Sequence, residues 1–134
     1  MEGLVKKRVD QIKRWRYGLK IDGKTVYAEP TRELIADAIE KNQLERRGLQ
    51  EYAALLFEEW ERVPAVDRAR VVQQYHSSRV AFFCVNGWDD PISLCVHDML
   101  EDGAHRLLAA KHKTIDTVDC VIVECRKCGN GPTK

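Results

Sequence analysis

The chain has 134 residues, 44% of them apolar and 32% charged, which is the make-up of a globular domain with enough length for a real core. Lys and Arg number 22 against 21 Asp and Glu, so a formal charge of +1 excludes a partner chosen by net charge alone. No apolar run approaches the ~20 residues that span a bilayer.

The segment Met1-Glu2-Gly3-Leu4-Val5-Lys6-Lys7-Arg8 lacks the apolar centre of a signal peptide. With five cysteines, this points to a cytoplasmic protein whose thiols are reduced and which has no membrane partner. Charge is uneven within the neutral total: residues 1–20 carry seven bases and two acids, and residues 29–62 nine acids and five bases. Val5, Val9 and Ile12 share one side of a helix expected over about residues 4–17, with Lys7 and Arg14 opposite and Lys6 and Lys13 flanking. Such a helix offers Lys6, Lys7, Lys13 and Arg14 to nucleic acid, with Trp15 and Tyr17 as stacking surfaces. The same pattern also serves as a plain solvated lysine face. Gly18 ends it.

Residues 19–27 read as a hairpin around Asp22-Gly23, a pair suited to a turn with positive φ. Pro30 and Thr31 open a helix expected to run to about Arg47, with Leu34, Ile35, Ala38 and Ile39 on its buried side. Leu49, Tyr52, Ala53, Leu56 and Trp60 form the stripe of a further helix whose other sides carry Glu51, Glu58, Glu59 and Glu61. That stripe is either core or a partner surface. Pro64 starts another helix, with Val66, Ala69 and Val72 inward, ending near Ser78.

From residue 79 the texture changes. Arg79-Val80-Ala81-Phe82-Phe83-Cys84-Val85 is a continuous β-prone run, expected as a strand buried on both faces. Residues 86–91 carry loop signals, including a Trp88 that either stacks on a base or covers the core. Residues 92–96 form a second strand, Met99-Leu100 a very short third, 104–112 a helix, and 118–124 a last strand. The expected fold is α+β: a helical N-terminal part with a hairpin, residues 1–78, packed on a small β-β-α-β part, residues 79–128. These make one domain, with 129–134 a flexible tail.

The densest chemistry lies in Glu101-Asp102-Gly103-Ala104-His105-Arg106. A glycine ahead of a helix lets a ligand approach the backbone, and the first helical N–H groups make an anion site. Arg106 adds a charge-assisted fork for phosphate oxygens, and His105 a donor or proton carrier. Glu101 and Asp102 repel a bare phosphate; their use is to hold a bridging divalent ion or to act as a base. Asp102 serves equally as a helix cap.

Pro91-Ile92, the apolar run after it, the turn, Leu107-Leu108-Ala109-Ala110 and the strand 118–124 resemble the ParB/sulfiredoxin superfamily over about residues 80–124. The resemblance implies that Gly103, Ala104, His105 and Arg106 bind the phosphates of a nucleotide. ParB-type relatives use CTP, sulfiredoxins ATP, and a serine kinase ADP, so it implies ATP, ADP or CTP with Mg²⁺. Phosphoryl transfer or phosphoester hydrolysis, of nuclease or NTPase type, then falls to Glu101, Asp102 and His105, with turnover left open. Ala104 stands where sulfiredoxins carry their reactive cysteine, which argues against sulfinic-acid reduction. About ten residues follow the last strand, leaving no room for the helix-turn-helix that ParB proteins add. Small free-standing members resemble those of phage and mobile-element genomes.

Cys120, Cys125 and Cys128 lie close in sequence, and Cys125-Arg126-Lys127-Cys128-Gly129 has the form of a zinc knuckle. A zinc there takes its remaining ligands from Cys84, Cys95, His97 or a second subunit; the alternative is free thiols. The alternative function is a non-catalytic interaction protein that engages DNA or a protein partner through its basic and acidic helices.

Overall fold

In the computed structural model, the first apolar and basic stretch pairs with another strand instead of coiling. Residues 3–21, 23–48 and 62–126 are described. They fall into two units, residues 1–15 with 86–134, and residues 16–85. The α+β class holds, and among the described residues no helix is long and apolar enough to cross a membrane.

The first unit is built on a mixed sheet of four strands in the order β1-β6-β4-β5, where β1 is Leu4–Arg8, β4 Ile92–Leu94, β5 Leu100–Asp102 and β6 Thr117–Ile122. β1 runs antiparallel to β6, β6 parallel to β4, and β4 antiparallel to β5. The helix expected over 4–17 is therefore corrected: β1 is followed by a 3₁₀ turn, Val9–Gln11. Val5 and Val9 are four apart, a spacing that puts them on one side of a helix and equally on one face of a strand. The ladder to β6 decides between the two. β1 is an edge strand, and its charged residues guard it against further pairing. Lys6 stands opposite Asp119 in register and pairs with it at 2.7 Å.

The core of this unit collects Val9 and Ile12 with Ile92, Leu94, Leu100, Leu107, Ala110, Val118 and Cys120. Trp88 packs against that cluster, so it covers the core. Parallel neighbours need a crossover, and β5 with helix α3, Ala104–His112, supplies it between β4 and β6. Leu107 and Ala110 sit at i and i+3 on the face of α3 turned to the sheet, and both are fully buried. Burying a leucine contributes ~2–3 kcal/mol.

The second unit holds the expected hairpin, β2 Gly18–Ile21 against β3 Lys24–Tyr27. Helix α1, Arg32–Glu40, is capped by the Thr31 hydroxyl, which accepts from the Leu34 N–H at 3.1 Å. It stops seven residues before Arg47. Asn42 takes a left-handed φ of 56°, a conformation Asn tolerates better than most residues. The backbone beyond it is tied to the helix Ala65–Asn86: Glu45 N–H donates to Ser78 O at 3.1 Å, and Arg79 Nη1 donates to Arg46 O at 2.6 Å. The helix expected over 49–60 lies outside the described residues.

Helix α2, Ala65–Asn86, overturns the strand expected over 79–85. No Gly or Pro interrupts it between Pro64 and Gly87, and Gly87 at φ +72° ends it. Ser77, Val80, Ala81 and Cys84 are buried at i, i+3, i+4 and i+7, whereas Val85 is 54% exposed. A strand buried on both faces leaves no such exposed end. A short apolar run cannot be told from a buried helical segment by periodicity. The β-β-α-β order stands, but its first two strands are β4 and β5.

Candidate functional site

β5 delivers the chain into Gly103, which caps α3 at φ +106° and ψ 29°. A side chain is disfavoured twice here. That φ is costly for an L-residue, and a Cβ would lie 3.1 Å from Arg106 Nη2 and 3.2 Å from Ile92 Cγ1. No side chain caps the helix, so Asp102 does not act as its cap. Arg106, one turn into α3, folds back over the glycine. Its Nη1 donates to Asp90 O at 2.9 Å and Pro91 O at 3.1 Å, and its Nη2 to Asp102 Oδ2 at 3.3 Å. The arginine side chain is 12% exposed and that of Asp102 79%. His105 is half-buried on the same turn.

The two carboxylates part company. Successive strand residues point to opposite faces, and Glu101 is buried with its Oε2 accepting the Arg126 N–H at 3.1 Å. The turn thus brings Gly103, Ala104, Arg106 and Asp102 together and turns Glu101 away from them. Two grooves lie in this unit, one lined by Arg8, Asp10, Lys111 and Thr114, the other by Lys6, Trp88, Asp89 and Asp90. Neither is lined by residues 101–106.

The basic residues assigned to nucleic acid do not form a helical face. Lys6 pairs with Asp119, and Lys7 pairs with Asp98 at 3.0 Å. The Lys13 backbone bridges to Met99, and Arg14 Nη1 donates to Trp15 O at 2.9 Å. In the second unit Tyr17 stacks on His76 with centroids 3.6 Å apart, which occupies a ring proposed for bases.

Among the cysteines, Cys120 is corrected out of any metal set. It points into the core with no exposed surface, and burial pushes its thiol pKa up. Cys84 lies on α2 in the second unit, and Cys128 lies outside the described residues. The structure instead gathers Cys95, His97 and Cys125, whose ligand atoms all lie within 4.8 Å of one another. Cys125 Sγ is 3.3 Å from His97 Nδ1, and Cys95 Sγ is 3.8 Å from the same nitrogen. Burial pushes the Cys95 thiol up. Hydrogen bonds involving the His97 and Met99 backbones, and the Cys125 and His97 side chains, outweigh it and bring the thiol down to about 7. Two thiols and an imidazole at this spacing suit a soft divalent cation. The signal in the sequence was Cys-x-His at 95–97 ahead of Cys-x-x-Cys at 125–128.

No protein-family model, curated protein or solved structure matches the chain.

Proposed function

We propose that the turn at Gly103–Arg106 binds the phosphate groups of a nucleotide or another phosphorylated small molecule. The observation that carries this reading is the guanidinium of Arg106 lying over Gly103 at the start of α3. A helix N-terminus attracts anions through its unpaired N–H groups and its dipole, and an arginine beside it adds a directed fork. Nη1 is anchored on two backbone carbonyls, so the group is held in place instead of sweeping through solvent. Nη2 already carries a carboxylate oxygen, that of Asp102. This contact is the internal counterpart of a phosphate oxygen. An ion pair with one partner so exposed is worth at most ~1 kcal/mol, so a phosphate competes with it readily. A Mg²⁺ on the phosphates would turn Asp102 from competitor to ligand.

The test is thermal unfolding with ATP, ADP, CTP or inorganic phosphate, with and without Mg²⁺. A ligand at 100 times its Kd adds ~2.7 kcal/mol, a plainly visible rise in Tm. Arg106→Lys keeps the charge but loses the fork, and it is expected to abolish most of the rise. Absence of any shift at millimolar concentrations of all four ligands would refute the reading. Release of phosphate in the same samples reports whether binding leads to hydrolysis.

A further inference from the structure

We propose that Cys95, His97 and Cys125 hold a thiophilic divalent cation of the zinc class. Bonds of ~2.3 Å to sulfur and ~2.0–2.1 Å to nitrogen in a tetrahedron set a sulfur and a nitrogen ligand ~3.5 Å apart. The two sulfur–nitrogen separations here, 3.3 and 3.8 Å, bracket that value.

The backbone holds these groups in place from both sides. After β4 the chain turns tightly, with Cys95 N–H donating to Met99 O at 3.0 Å and Asp98 N–H to Cys95 O at 3.1 Å. Asp98 takes a left-handed φ of 62° to close this loop. Within it the His97 N–H donates to Cys95 Sγ at 3.4 Å, a contact that favours sulfur as a thiolate ligand. The loop is tied from outside by Lys13 N–H on Asp98 O at 2.9 Å and by the Lys7–Asp98 ion pair. Cys125 is fixed between two anchors. Val123 N–H donates to Leu94 O at 2.7 Å, and Arg126 N–H donates to Glu101 Oε2. The buried carboxylate of Glu101 therefore positions a ligand-bearing segment.

Cys95 is buried while His97 and Cys125 are exposed, so an ion reaches the site from solvent without unfolding of the sheet. A bound ion staples the β4–β5 loop to the segment after β6. This proposal does not depend on the phosphate reading.

The experiment uses the full chain purified under reducing conditions, stripped with a chelator, and reloaded with Zn²⁺ or Co²⁺. The expected result is one metal per chain. The cobalt form should show the intense visible bands of a tetrahedral site and a thiolate-to-cobalt charge-transfer band. Cys125→Ser and His97→Ala alter exposed side chains, and each should weaken binding at least ~10-fold, the loss that even an outer-shell change produces. Cys84→Ala should bind as the parent chain does. A metal-to-chain ratio near zero after reloading, or full affinity in Cys125→Ser, overturns the site. Should a variant fail to fold, chelation of the parent chain is the second measurement. A Tm that falls on chelation and recovers with Zn²⁺ supports the site, and a Tm indifferent to both refutes it.

Discussion

Gly103 is the residue on which the turn depends. Its φ is left-handed, and a methyl group there would press on Ile92 and on the Arg106 guanidinium. Gly103→Ala is expected to cost ~1–2 kcal/mol from the left-handed backbone alone, and more from the contact with Ile92. Urea unfolding measures this, and an effect below ~0.5 kcal/mol would mean the turn relaxes freely. Cys120 makes the complementary case, a thiol of packing value only. Cys120→Ser places a hydroxyl in an apolar core and is expected to destabilise by ~1–3 kcal/mol. Metal content measured on the same sample should stay that of the parent chain, whereas Cys125→Ser should lower it.

At the scale of elements, the corrections at residues 4–8 and 79–85 have one cause. Both segments are too short for periodicity to separate helix from strand, and their neighbours decided. The first met β6 in register over five residue pairs. The second continued a helix that no Gly or Pro interrupted before Gly87. Ala81→Pro tests the second directly. In a helix interior it removes a hydrogen bond and clashes with the preceding turn, at a cost of ~3 kcal/mol or more. Loss of helical circular dichroism together with a lowered Tm is the expected outcome, and retention of both would argue against a continuous α2. By contrast, α3, β4, β6, the hairpin and the Thr31 cap follow from local signals, because each is bracketed by its own turn or capping residue.

Across the whole molecule, residues 1–15 belong to the same unit as residues 86–134. Val9 and Ile12 are each 6% exposed within its core. A peripheral basic arm would tolerate Ile12→Ala within ~0.5 kcal/mol. A core position loses ~2–5 kcal/mol, and that larger loss is expected from denaturant titration. The lysines of β1 are paired with Asp119 and Asp98. An edge strand needs charge on it whatever else the protein binds.

The amino-acid sequence by itself determined the α+β class, the acidic-glycine turn into α3, and the β-prone strand that follows. Each of these rests on neighbours within a few positions: a glycine where φ must be positive, an apolar stripe at helical spacing, a threonine ahead of a helix. Only the tertiary structure decided which residues share a site. Glu101 and Asp102 are adjacent in the chain yet point to opposite faces of β5, and Cys120 and Cys125, five apart, lie in different surroundings. Cys95 and Cys125, thirty positions apart, meet because β4 and β6 run parallel with Leu94 opposite Ile122, which brings the ends of both strands side by side. Strand pairing is a long-range choice settled by the shared core, and spacing along the chain does not record it.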